Sequence, residues 1–217
     1  AIVGTISGSS ISFGSEVVFN SGSTTEISMT FYDDTNRVII AYKDASNSDY
    51  GTAIVGSVDS SDNSITFGTA TVFESAHTTF TSVVEDSNAD KVVICYNDVG
   101  NSNAGTAIVG TISGTSISFG SANTFESGNT ERISTTFDSN SNKFVVAFVD
   151  AGDSNKGKAR VGTVSGTGTS FGSTVEFESG TVSSTTMTFD SSNNKVVIAI
   201  RGSSDVGKAY VGTVSGT

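Results

Sequence analysis

Proline and tryptophan are missing from this 217-residue chain, cysteine and histidine occur once each, and basic residues number half the acidic ones, 11 against 22. One cysteine, Cys95, excludes an intrachain disulfide framework. One histidine, His77, leaves no second imidazole for a zinc site, and no cysteine lies near it in sequence. The charge deficit gives a net charge of −11 and a pI near 4.3. A surface of that sign repels phosphate backbones and anionic headgroups, which argues against nucleic-acid and membrane partners. No apolar run approaches the roughly 18–20 residues that a bilayer-spanning helix needs. The first residues carry neither an initiator methionine nor a charged-then-apolar leader pattern, so a processed or excised segment of a longer repeat protein is expected.

Hydrophobic residues make up 35% of the chain, below the roughly 45–50% apolar content of ordinary globular domains. Disorder does not follow, because those residues cluster in short β-branched and aromatic runs. The runs recur. The pattern A-x-V-G stands at Ala1, Ala53, Ala107, Ala159 and Ala209. The dipeptide F-G stands at Phe13, Phe67, Phe119 and Phe171, with a second phenylalanine six residues on at Phe19, Phe73, Phe125 and Phe177. Four copies of about 52 residues therefore account for the chain: 1–52, 53–106, 107–158 and 159–208, with a partial copy at 209–217.

Each copy is expected to form four strands. In "TEISMTFYD" the alternation of Ile27, Met29 and Phe31 predicts a half-buried strand. "RVIIAY" is continuously apolar and predicts a strand buried on both faces. The intervening "DDTN", "DSNAD", "DSNSN" and "DSSNN" supply hairpin turns through residues whose side chains bond the local backbone. "GTAIVGSV" predicts the third strand, and "SISFGSEVVF" the fourth, after a tight Ser-Gly turn. No stretch has a useful helical period. The expected fold class is all-β, a single-domain β-propeller of four-stranded antiparallel blades, because a 50-residue sheet cannot bury both faces alone and stacked copies can.

The segment "SVDSSDNSITFG" at 57–68 resembles the Asp-box of sialidase-type propellers, with Ser, Asp, Thr and an aromatic in order. The other copies, such as "TISGSSISFG", drop the Asp and shorten the turn. In that family the box is structural and lies away from the active site. The whole unit, with its "GTAIVGTISGTSISFGS" core, also resembles Ser/Gly-rich repeats of large bacterial surface proteins and of marine phage tail or fibre proteins. That resemblance implies an extracellular or virion location.

Sialidase-like chemistry needs an arginine cluster, a tyrosine nucleophile with a glutamate partner, and an acid/base aspartate. Arg37 matches Lys91, Lys143 and Lys195 in the hairpin turn, and Arg132, Arg160 and Arg201 fall at three different strand positions. No catalytic constellation is legible, so the chain is not read as an enzyme. Cys95 aligns with Ala41, Ala147 and Ala199, a small-residue slot in the buried second strand. His77 is expected in an exposed linker.

Loops after the second strand carry Asp44, Asp98 and Asp150 in register, in "DASNSD", "DVGNSN" and "DAGDSN", which makes them candidate Ca²⁺ ligands as well as ordinary turn formers. Two slots differ between copies. Ile2, Ile54 and Ile108 become Arg160 and Tyr210, while Lys43, Asn97 and Val149 become Arg201. Such variation is expected of positions facing solvent or a partner, and Tyr50, Arg160, Arg201 and Tyr210 are the candidate ligand contacts. The favoured function is a noncatalytic structural and recognition module of an extracellular or virion assembly, binding a glycan, a surface receptor or other subunits. The alternatives are a degenerate sialidase-like glycoside hydrolase and a purely structural self-assembling repeat.

Overall fold

A computed structural model describes residues 1–32 and 35–216. Asp33 and Asp34 of the "DDTN" turn, and Thr217, lie outside the described residues. Eighteen strands run in chain order among them. They are β1 (Gly4–Ser7), β2 (Ser10–Phe13), β3 (Thr24–Tyr32), β4 (Arg37–Asp44), β5 (Tyr50–Asp59), β6 (Ser64–Phe67), β7 (Thr71–Asp86), β8 (Lys91–Asp98) and β9 (Ala104–Ser113). Then follow β10 (Ser116–Phe119), β11 (Asn123–Asp138), β12 (Lys143–Asp150), β13 (Lys156–Ser165), β14 (Gly168–Phe171), β15 (Val175–Glu178), β16 (Ser184–Asp190), β17 (Lys195–Arg201) and β18 (Gly207–Gly212). Among the described residues the strands pair antiparallel throughout, so the all-β class holds.

The strands form five layers. β1–β2 make the first and β16–β17–β18 the fifth; β3 to β15 make three fuller layers joined into one thirteen-stranded sheet. The joints are β7 and β11. The first half of β7 pairs with β5, and the second half, from Thr78, pairs with β8 in the next layer. β11 does the same between β9 and β12. The expected fourth strand is thus split: β6 pairs with the outer half of β5, and β7 takes over the inner half. At the crossing, the pairing slips between Thr79 and Ser82, and Phe80 takes φ 52°; Glu26 and Arg132 repeat this at the same point in their layers. A left-handed residue in a bulge bends the strand toward its next partner.

The glycine of the F-G pairs at Phe13, Phe67 and Phe119 has a steric cause. A Cβ on Gly68 would strike the Thr115 carbonyl in the next layer's third-to-fourth-strand turn, and one on Gly120 would strike that of Thr167. Those turns themselves rely on left-handed Gly114 and Gly166.

The second strands β4, β8 and β12 are buried on both faces, as their sequences predict, one face looking back a layer and one forward, whereas β17 is buried on one face only. Ile39, Ala41, Ala53 and Val55 of the second layer meet Val83, Val92, Ile94, Tyr96, Ile108 and Ile117 of the third. Val93, Cys95 and Ala107 then meet Phe144, Val146 and Phe148, and Val145, Ala147 and Val149 meet Val196, Ile198 and Ile200. Burial pushes the Cys95 thiol's pKa well up, as an inert core thiol requires.

First strands of successive layers also touch. The Ser28 hydroxyl accepts from the Val83 amide at 3.0 Å, Ser82 from Thr135 at 3.0 Å and Ser134 from Met187 at 3.1 Å. Among the described residues no sheet closes into a ring.

Three expectations change. Ile27, Met29 and Phe31 alternate as a buried face but lie open, with Met29 63% exposed. Their backward face would be covered by first and second strands in the layer before, and that layer holds only β1 and β2. The variable slot at Ile54 and Ile108 does not face solvent: both residues are buried between layers, while Ile2 is exposed. His77 is exposed but sits within β7, paired with Tyr50, rather than in a linker.

Candidate functional site

A cleft of about 340 Å³ opens between the fourth and fifth layers. Val145 and Val161 line one wall; Val196, Ile198, Tyr210 and Val211 line the other. It brings together two of the candidate contacts, Arg160 and Tyr210. Both come from the third-strand slot where Ile54 and Ile108 are buried elsewhere.

Arg160 has little left to offer a ligand. Its Nε and Nη2 donate to the Gly172 carbonyl at 2.9 and 2.6 Å, and Nη1 donates to the Phe125 carbonyl. The guanidinium carbon lies 5.6 Å from the Phe171 ring centre. The other arginines are also engaged locally. Arg37 donates to the Gly114 carbonyl and the Ser57 hydroxyl, Arg132 stacks on Phe80 at 4.9 Å, and Arg201 pairs with Asp205 at 2.6 Å. They sit in three different layers, on β4, β11 with β13, and β17.

Tyr210 belongs to a polar cluster at the cleft rim. Its hydroxyl donates to Glu178 Oε2 at 2.7 Å, the Lys208 ammonium pairs with the same oxygen, and the Gly180 amide donates to Oε1 at 2.8 Å. Those donors, Lys208 first, hold the Glu178 carboxyl down at about 2, against an ordinary value of 4.5. A carboxylate with a lowered folded-state pKa stabilises the fold fully above its unfolded value. That stabilisation is lost as pH falls from about 4.5 through about 2. Glu178→Gln is therefore expected to flatten the acid limb of a thermal-melting series across that window and to leave the slope above pH 6 unchanged. A parallel acid limb in parent and variant would refute the assignment.

The sequence reading passed over this glutamate, although its signal was present. Phe-Glu-Ser recurs at Phe73, Phe125 and Phe177, and each glutamate accepts from an amide two residues on: Glu74 from Ala76 at 3.1 Å, Glu126 from Gly128 at 3.2 Å. Glu74 also accepts from the Tyr96 hydroxyl at 3.0 Å, and Asn20 performs the turn role in the first copy. Glutamate here is a repeated turn clamp.

The aspartates in register are loop acceptors in separate layers. Asp44 accepts from the Ser46 amide at 3.1 Å, Asp98 from Asn101 at 3.1 Å and Asp150 from Asp153 at 3.1 Å. Asp150 also pairs with Lys158 at 2.7 Å. Among the described residues no group of three His, Cys, Asp or Glu side chains is close enough to hold a metal ion. Tyr50 opens β5, remote in the order of layers from Arg160, Arg201 and Tyr210. The segment 57–68 forms the β5–β6 hairpin, where Asp59 accepts from the Ser61 amide at 2.8 Å and its hydroxyl at 2.7 Å.

Among the described residues no helix is long and apolar enough to cross a membrane. No family model and no curated protein matches this sequence.

Proposed function

We propose that the chain is a noncatalytic structural and recognition module of an extracellular or virion assembly, built from β-propeller-type blades that resemble degenerate sialidase-type units. The observation that carries this reading is the interface between layers. The same in-register set of a β-branched residue, a small residue and their cross-strand partners recurs as Ile39, Ala41, Ala53 and Val55, then as Val93, Cys95, Ala107 and Val109. Such repetition builds a scaffold. The arginines sit in three different layers and Arg160 is tied to two carbonyls, which supports the noncatalytic side, since a carboxylate-binding triad needs guanidinium groups that converge on one site with free donors.

Recognition falls to the surface around the loop after β4, where Tyr50, its exposed cross-strand partner His77 on β7 and the Lys43–Asp49 ion pair offer aromatic and polar contacts to a sugar or a peptide. Glycan-array screening together with pull-down from intact virions or cell envelopes tests the proposal. Retention on a glycan or on an envelope component supports it. A chain retained by neither, and recovered only from cytosol, overturns it.

A further inference from the structure

Where the first strands bulge, three copies place a bulky residue at a point where glycine is the ordinary choice. Glu26, Phe80 and Arg132 occupy the same position in the bulges of β3, β7 and β11, with φ of 54°, 52° and 51°. A left-handed backbone is strained for side chains of this size and open to glycine without steric penalty. The bulge explains the conformation but not the residue types. Two residues on, the copies agree on serine, at Ser28, Ser82 and Ser134, while the left-handed slot holds an acid, a ring and a base.

The three side chains meet across layers. Glu26 Oε2 accepts from the Phe80 amide at 2.9 Å, and the Arg132 guanidinium carbon lies 4.9 Å from the centre of the Phe80 ring. Glu26 and Phe80 are half-buried, and Arg132 is exposed. The Arg132 carbonyl accepts from the Thr185 hydroxyl, which ties its backbone to the next layer. Its guanidinium differs from the other three. Those of Arg37, Arg160 and Arg201 donate to an oxygen, whereas that of Arg132 meets only the ring among the described residues. One face of the group is covered, and its in-plane N–H donors are open. A ring contact at an exposed site contributes no more than left-handed strain removes, so stability does not explain the arginine.

We propose that Arg132, held flat on Phe80, is a binding site for one oxyanion, a carboxylate or a sulfate ester, carried by a sugar. The free donors set the chemistry. A guanidinium's planar fork takes two oxygens of one anion side by side, and stacking fixes its plane before the ligand arrives. The surroundings limit the charge. Glu26 holds the amide of the same Phe80, Glu131 precedes Arg132, and the chain carries −11 overall. That field repels a polyanion, whereas a single oxyanion on a neutral body gains the contact to Arg132. Exposed hydroxyls at Thr25, beside Glu26, and at Ser184, beside the Thr185 that bonds Arg132, suit a polyol body.

The site names a ligand charge that the module reading leaves open, at residues other than Tyr50 and His77. Side-chain NMR of the full chain is expected to show the Arg132 Nε–Hε signal shifting with millimolar glucuronate or glucose 6-sulfate, and staying in place with glucose. Response to either anion supports the site, and the pair tells carboxylate from sulfate. Arg132→Gln and Arg132→Lys weaken binding about tenfold or more, lysine because it lacks the fork. Arg132→Gly abolishes binding yet melts no lower than the parent, because it relieves the strained backbone. Lys91→Gln changes neither property. No shift with either anion, an equal shift with glucose, or binding that survives in Arg132→Gln overturns the proposal. An Arg132→Gly variant that melts well below the parent also overturns it, since the side chain then serves the stack. An acidic glycan that hits on the array and is still held by Arg132→Gln removes this site and leaves the module reading standing.

Discussion

Truncation of Phe125 to alanine is expected to destabilise the fold by about 3–5 kcal/mol, the usual cost of deleting a fully buried ring. Phe125 is 1% exposed. It rests on Gly105, where a Cβ would come within 2.5 Å of the ring, and packs against Phe148 at 5.3 Å and Phe171 at 5.7 Å between centroids. The ring spans two layers, so its loss opens a cavity that neither can close.

The repeat supplies internal controls. Phe73, against Tyr96 and Phe119, is expected to behave similarly. Phe177 meets Tyr210 at 5.4 Å but has no fourth-strand ring beyond it, and Phe19 is only half-buried. Phe19→Ala and Phe177→Ala are expected to cost less than half as much. Urea unfolding of the four variants, read by hydrogen exchange layer by layer because stacked repeats need not unfold as one unit, checks the order. Equal losses at all four positions would mean that the interface is no stronger inside the stack than at its ends.

A second large effect is expected at Asn97. Its side-chain amide, 2% exposed, donates to the Asn103 carbonyl at 2.9 Å and to the Thr130 carbonyl at 2.6 Å. The Thr79 hydroxyl donates to its Oδ1 at 3.3 Å. This one side chain ties β8 to the start of the next layer. Asn97→Asp replaces the donors with an acceptor facing two carbonyls, and a buried charge without a partner costs about 3–5 kcal/mol at pH 7. Protonation restores one donor, so the loss relative to the parent is expected to shrink as pH falls toward 5. Burial raises the pKa of such a carboxyl, and the neutral form is favoured in the fold. Asn97→Val, which imports the residue of the next copy, leaves two carbonyls unpaired at a cost of about 1–3 kcal/mol and shows no such pH dependence. Chemical denaturation of parent and variants at pH 7 and pH 5 separates the two effects. An Asp variant equally unstable at both values would refute the donor role.

Much of this was legible in the residues. Asn97 shares its slot with Lys43, Val149 and Arg201, and variation between copies suggested solvent; yet Val149 is 1% exposed and Asn97 is buried. The slot is an interlayer position whose neighbours differ, so each copy solved its polarity locally. Ile27, Met29 and Phe31 mislead in the opposite direction. Their alternation marks a face made for burial, yet all three are exposed. Phe-Glu-Ser stood in three copies, but a clamp two residues long has no period to announce it.

By itself, the sequence determined the class and the unit. Period-two alternation, continuously apolar second strands and Asx turns dictate antiparallel β structure, and the recurrence of A-x-V-G marks where each copy repeats. Whether a strand ends or runs on into the next sheet was decided only by the tertiary structure, because β7 changes partner between His77 and Thr78, and β11 between Asn129 and Thr130, without a break in either strand. The same holds for which apolar faces are covered. A strand's pattern states which side wants a neighbour, and the presence of that neighbour depends on residues distant in the chain. Equivalent residues therefore meet different fates, and Ala209 and Val211 lie open while Ala53 and Val55 are sealed.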